Sequence, residues 1–352
     1  MRTRARWMVL ATVTMLAAGA TACSRADAGG TGSTADAGGS TADEGGDGPL
    51  RVVYIPKNLG NPYFDNIVAG LEEASGELDM TVEVVGPAQA GATDQIPFID
   101  SAIQQGVDAI AISPNDADAL VPSLQRAMDA GITVVSVNSD MNPEGRDVAV
   151  LPTDFDELGQ FLVELTAEVT GGEGDFAILS ATSTAPDQNY WIEGMEQVLA
   201  EGGHPGLNLV EVVYGDDAPD KSANETTALL TKYPDLDAIV APTTVGVAAA
   251  AQIVGDSPRK GELQVTGLGT PNEMRGYVED GTVSAFALWD PKAQGILSAH
   301  LIAALARGEI EPEAGATFEV PGVGERSLTD TTQVITGPPV TFTADNIADF
   351  DF

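Results

Sequence analysis

The sequence predicts an α/β protein whose parallel strands are covered by helices on both faces. Three observations carry that prediction. Short apolar runs alternate strictly with segments of helical period from residue 51 to about 306. The runs are mostly apolar, as strands buried on both faces must be. Glycines stand where helical segments stop, at Gly106, Gly131 and Gly308, the place where a left-handed residue commonly ends a helix. A length of 352 residues suits two domains.

Element by element, residues 51–55 form the first strand. A helix follows over 62–78, with Phe64, Ile67, Val68, Leu71 and Leu78 on one face. The strand 81–85, the helix 92–105 and the strand 109–113 come next. The helix 116–130 leads into the apolar strand 133–137. Residues 138–153 then break the alternation with Pro143, Gly145 and Pro152, which reads as a crossover between lobes. The pattern resumes with helix 155–170, strand 175–179, helix 187–200, strand 209–213, helix 221–231, strand 238–241 and helix 245–254. Strand 263–266, helix 272–279, strand 283–288 and helix 292–306 complete it. No repeat of 20–50 residues is visible. By itself the pattern fits one large barrel or two doubly wound lobes.

Composition excludes several function classes. Sixteen basic residues face 53 acidic ones, a net charge of −37, so a nucleic-acid partner is not expected. One cysteine cannot make a disulfide framework, a cysteine-rich zinc site or a CxxC redox motif. His204 and His300 are too far apart for a local metal-ligand pair. No GxSxG and no GxxxxGK[ST] occur, so no nucleophile elbow or P-loop is present. No metal, cofactor or catalytic residue is assigned.

The first 22 residues read as an export signal. Arg2, Arg4 and Arg6 precede an apolar stretch over 7–18, and small residues lead to Cys23, the single cysteine. The layout resembles the lipobox of bacterial lipoproteins, although Ala20 stands where Leu is commoner. The resemblance implies a lipid-modified Cys23 as mature N-terminus, holding the protein on the outer face of the cytoplasmic membrane. Residues 24–49 are nearly all Gly, Ser, Thr, Ala and Asp; such a coil spans roughly 28 Å r.m.s.. That is a tether.

In doubly wound sheets, ligands sit beyond the carboxyl ends of the strands. The residues just past those ends carry amides, hydroxyls, carboxylates and one lysine: Lys57, Asn115, Asn138, Asp187 and Gln188, then Pro242-Thr243-Thr244, then Asp290. Tyr63, Phe64 and Trp289 add aromatic faces. Polar groups that bond hydroxyls, with rings that cover C–H surface, suit a sugar or polyol. Other residues have plainer readings. Asp216, Asp217 and Asp220 lack calcium-loop spacing and read as loop carboxylates. Trp191, in helical register with Met195 and Val198, reads as core. His300 reads as a structural or surface histidine.

From about residue 52 the chain resembles the type I periplasmic binding proteins of bacterial sugar ABC transporters. SATSTAPDQN (180–189), YGDDAPDKS (214–222), IVAPTTVGVAAAAQ (239–252) and NDADALVPSLQRAMD (115–129) resemble rhamnose-binding members. IPK (55–57), SD (139–140), TPNEMRGYVEDGTVSAFALWD (270–290) and NIADFDF (346–352) resemble autoinducer-2-binding members. The resemblance implies two doubly wound, Rossmann-like lobes joined by a three-segment hinge. The first lobe would hold 50–152 and 290–312, and the second 153–289 and 313–352. Crossovers are expected near 138–153, near 288–291 and after the helix 292–306.

The autoinducer-2 pattern implies lysine at 57, aspartate at 138, Asp-Gln at 187–188, proline at 242 and alanine at 244. This chain keeps Lys57, Asp187, Gln188 and Pro242 but carries Asn138 and Thr244. The rhamnose-type pattern matches Pro242-Thr243-Thr244 and has Asn where Asp187 stands. The implied function is capture of a small sugar, or autoinducer-2, by a monomer that delivers it to a permease with a separate ATPase. Two other classes fit the residues: a receptor-presenting sensor, and a sugar-processing enzyme using Asp140, Asp187 or Asp290.

Overall fold

The computed structural model describes residues 48–352. The export segment, Cys23 and nearly all of the tether lie outside the described residues. The first half runs β1 (Leu50–Ile55), α1 (Pro62–Ser75), β2 (Met80–Val84), α2 (Ile96–Gln105), β3 (Ala109–Ile112), α3 (Val121–Asp129), β4 (Thr133–Val137) and β5 (Val148–Leu151). The second runs α4 (Phe155–Thr170), β6 (Gly174–Ser180), α5 (Pro186–Ala200), β7 (Leu207–Tyr214), α6 (Pro219–Lys232), β8 (Ala238–Ala241), α7 (Thr244–Gly255), β9 (Gln264–Gly267), α8 (Pro271–Glu279) and β10 (Phe286–Leu288). After α9 (Pro291–Ala306) come four short strands, β11 (Thr317–Val320), β12 (Gly324–Ser327), β13 (Gln333–Ile335) and β14 (Val340–Phe342).

Two sheets define two lobes. The first is six-stranded and parallel, in the order β13-β5-β4-β3-β1-β2. The second is parallel in the order β7-β6-β8-β9. A parallel bridge from Leu268 to Ala287 adds β10, which pairs antiparallel with β14. Side chains alternate across β1, as a period of two requires. Val53 and Ile55 join the core under α2 and α3 with Ile99, Ile110 and Leu124. Val52 and Tyr54 face the opposite core with Ile67, Leu71 and Leu301, from α1 and α9.

Local chemistry sets the helix ends. Asn61 caps α1 by accepting from Tyr63 N at 3.0 Å, and Pro62 supplies the first turn. Asp290 caps α9 through Lys292 N and Ala293 N. The helix expected from 116 starts at Val121, because Asp116 Oδ1 accepts from Asp118 N and Ala119 N and holds a turn there. Helices α1 and α9 cross at Gly70 and Gly295. A Cβ on Gly295 would lie 2.1 Å from Ile67 O, and one on Gly70 would lie 2.1 Å from Lys292 O. Only hydrogen fits at that crossing.

Two expectations on lobe boundaries are corrected. Residues 138–153 are not all crossover, because they contain β5, a strand of the first sheet. The tail 313–352 does not belong wholly to the second lobe. β13 pairs with β5 in the first sheet, with Gln333 opposite Ala149. Arg146, buried, fixes this edge: it donates to both carboxylate oxygens of Asp140 and to Thr332 Oγ1 at 2.9 Å. The chain therefore passes between sheets at 152–154, at 289–290 and at 336–339.

Candidate ligand-binding site

The carboxyl ends of both sheets face one another across a small polar cavity, the place where doubly wound sheets bind their ligands. Its position follows from β1 and β6, whose ends deliver the two halves of a buried charge cluster. Lys57 follows β1 by two residues. Its backbone is pinned by Asn115, whose Nδ2 donates to Lys57 O at 2.8 Å. Asn115 is fixed in turn by Gln95, which accepts from Asn115 N and donates to Pro56 O and Ser113 O. From the other lobe, the first turn of α5 brings Asp187 and Gln188.

Lys57 Nζ lies 2.6 Å from Asp187 Oδ1 and donates to Gln188 Oε1 at 3.2 Å, with both charged side chains at most 2% exposed. The other carboxylate oxygen of Asp187 accepts from Asn138 Nδ2 at 3.3 Å. Asn138 sits after β4 with φ at 73°, a left-handed backbone that Asn tolerates better than most residues. Its Oδ1 accepts from Tyr63 OH at 2.5 Å, and Tyr63 accepts from Trp289 Nε1 at 2.6 Å. Direction is thus fixed from the donor-only indole to the acceptor-only carboxylate. An Asp at 138 could not donate, and would set two carboxylates against each other. Burial raises the Tyr63 phenol well above its usual range, so it remains the donor at any physiological pH.

Opposite this cluster, Thr243 Oγ1 donates to Asp217 Oδ1 at 2.5 Å. Asp217 and its neighbour Asp216 both have positive φ, 50° and 54°, the kind of backbone strain found at functional sites. Burial pushes the Asp217 carboxyl above the ordinary carboxylate range, against the Thr243 hydrogen bond and the Lys57 cation. A second link between the lobes is Thr184 Oγ1 donating to Asn115 O at 3.0 Å. The lobes are closed on each other.

Lys57, Tyr63, Phe64, Asn138, Gln188, Pro242, Thr243, Thr244 and Trp289 all line the cavity. Asp187 stands directly behind, engaged with Lys57. Two expected residues are off the wall. Asn115 positions Lys57 instead, because its amide is turned to the backbone, and Asp290 is spent on capping α9. Asn61, Asp217, Leu268, Leu288 and Trp191 also line the cavity, beyond the residues expected there. For Trp191 the missed clue is spacing. It lies four residues after Asp187 and three after Gln188, on one helix face with them.

Three crossings between two parallel sheets, with a polar cavity where their strand ends meet, define a type I periplasmic binding protein. Residues 52–310 match the family model described as "Periplasmic binding protein domain", and the chain belongs to that family. Among solved structures it is similar to a sugar ABC transporter protein of Actinomyces odontolyticus, at 43% identity with 86% of this chain and 98% of that one covered, TM-score 0.69. A solute-binding protein of Clostridium phytofermentas with bound L-rhamnose is 37% identical over 86% and 98%, TM-score 0.83. LsrB of Clostridium saccharobutylicum, in complex with AI-2, is 27% identical over 86% and 100%, TM-score 0.79. Among characterised relatives, the D-ribose/D-allose-binding protein of Pseudomonas aeruginosa is 26% identical, covering 77% of this chain and 87% of its own.

Proposed function

We propose that this chain is the ligand-capturing subunit of a sugar ABC importer, closing its two lobes over a small neutral sugar of the rhamnose type. The observation that carries the reading is the buried Lys57–Asp187–Asn138–Gln188 cluster, to which each lobe contributes. Opening the lobes would separate these groups, and a bound polyol would bond them on reclosure. Pro242-Thr243-Thr244 at the wall and the L-rhamnose-bound relative favour a sugar. Delivery would be to a permease with its own ATPase. The cluster binds and does not catalyse: Asp187 is neutralised by Lys57, Asp140 is held by Arg146, and Asp290 caps a helix. Each of the three carboxylates the sequence offered for hydrolysis has another task.

Autoinducer-2 is the second reading, favoured by Lys57 with Asp187-Gln188 and by the LsrB relative. Titration calorimetry against L-rhamnose, pentoses and autoinducer-2 separates the two. Tight autoinducer-2 binding with no response to any sugar would reverse the ranking. Lipidation at Cys23 completes the proposal and is read by intact mass: a diacyl- or triacyl-cysteine at the mature N-terminus supports it, and a retained 1–22 segment refutes it.

A further inference from the structure

Trp191 is 1% exposed, and its indole N–H has no hydrogen-bond partner among the described residues. Buried donors are nearly always paired. The comparison within the same cavity is direct, because Trp289 Nε1, its neighbour on the wall, is satisfied by Tyr63 OH. The two indoles pack with ring centroids 6.0 Å apart.

The cavity wall that Trp191 shares has an apolar side. Leu288 precedes Trp289, and Leu268 pairs with Ala287 across the bridge to β10. Leu268, Leu288, Trp289 and Trp191 therefore form one continuous apolar wall of the cavity. Of the groups that can serve hydroxyls, Lys57, Asn138, Asp217 and Thr243 come from other elements, and Gln188, on α5 itself, already accepts from Lys57 through its Oε1. An indole can only donate. A sugar hydroxyl placed against Trp191 would accept its bond but would turn its own hydrogen toward leucine and aromatic carbon. A ring-ether oxygen carries no hydrogen and is flanked by C–H, so it satisfies Trp191 at no such cost.

We propose that Trp191 is a ligand-recognition residue whose indole N–H donates to the ring oxygen of the bound sugar, seating the sugar's apolar edge on the Leu268–Leu288–Trp289 wall. This rests on the sugar reading above and refines it. Of the two carbons beside the ring oxygen, the anomeric one carries a hydroxyl that needs the polar side of the cavity, so the other, which carries carbon 6, meets the same wall. A methyl group there is buried well, whereas a hydroxymethyl group brings an unpaired hydroxyl. The site is therefore selective for 6-deoxy sugars over their 6-hydroxy counterparts.

The test uses L-rhamnose and L-mannose, which differ only by that hydroxyl, with the wild-type exported protein and Trp191→Phe. Calorimetry should show wild type preferring L-rhamnose on the order of 10- to 100-fold. Trp191→Phe, which keeps the ring but loses the donor, should weaken L-rhamnose binding about tenfold. In ¹⁵N–¹H spectra, L-rhamnose should move the Trp191 indole signal more than that of Trp289, whose N–H is already bonded; Trp289→Phe supplies the assignment if Trp191→Phe fails to fold. Equal affinity in Trp191→Phe, or an unmoved indole signal, overturns the inference while leaving the sugar reading intact. So does equal binding of the two sugars. A wild type that binds neutral sugars not at all overturns both.

Discussion

Removing Asp187 should open the protein without unfolding it. The pair with Lys57 is 2.6 Å long and at most 2% exposed, so its Coulomb attraction is about 6 kcal/mol at an effective dielectric near 20. Desolvation offsets much of this in the intact pair. In Asp187→Ala it is left uncompensated, and breaking a buried pair this way costs about 3–5 kcal/mol. That cost need not fall on folding. Lys57 belongs to the first lobe and Asp187 to the second, so separating the lobes rehydrates the lysine while both sheets stay intact. A bias of 3 kcal/mol shifts the closed-to-open ratio by roughly 150-fold. Small-angle scattering of the ligand-free variant should give a larger radius of gyration than ligand-free wild type, with a melting temperature within about 2 °C. Replacing both partners, Lys57→Met with Asp187→Leu, should restore closure, because no charge is stranded. A steep fall in melting temperature with an unchanged radius would show that the pair stabilises the fold and not the closure.

Three further outcomes are expected. Gly295→Ala should lower the urea midpoint at unchanged m-value, by about 3 kcal/mol of overpacking against Ile67 O, more than the ~1 kcal/mol that alanine gains in a helix; an equal or higher midpoint would refute the tight crossing. Asp217 has a raised folded-state pKa, so the folded state binds its proton more tightly than the unfolded chain does. Its contribution opposes stability at neutral pH, and the penalty is relieved as pH falls through the raised value toward 3.8. Asp217→Asn should accordingly melt higher than wild type at pH 7, with the difference shrinking on acidification; a difference that is flat with pH would refute this. With a net charge of −37, melting temperature should rise from low salt to molar NaCl as self-repulsion is screened. A flat response in salts of several ions would count against it.

The parallel core strands and their helices are legible in the sequence because each strand is an apolar run set between helices of clear period. Strands 109–113 and 133–137 match β3 and β4 within one residue, since both are unbroken apolar runs. The strands β5, β11, β12, β13 and β14 are not legible. Each has three or four residues and, unlike β3 or β8 of similar length, follows another strand with no α-helix between or lies in the tail beyond α9. What holds β13 is a partner far away in sequence. Site residues directly after strands are legible from topology alone, as Lys57, Asn138 and Thr243 show. Asp217 also stands just past a strand, three residues after β7, but reads as a plain loop carboxylate because nothing in the sequence marks its burial. Trp191 escapes it because core and site share one face of α5.

The return of β13 to the first sheet bears on how the molecule is made. Its partner β5 is finished before residue 152, but the strand that closes that edge is among the last to be synthesised. Until then β5 presents open N–H and C=O groups, the template on which strands of other chains pair. A polypeptide that crosses a membrane N-terminus first reaches the far side with this edge bare, and the lobe that begins the sequence stays unfinished until nearly all of these residues have emerged. Production of the first lobe as a contiguous fragment is ruled out on the same ground. A circular permutant that opens the chain in an exposed turn between α3 and β4 and joins the present ends would make β5 and β13 in the same order. One opened just before β13 would supply the edge strand first and let the sheet close as it emerges.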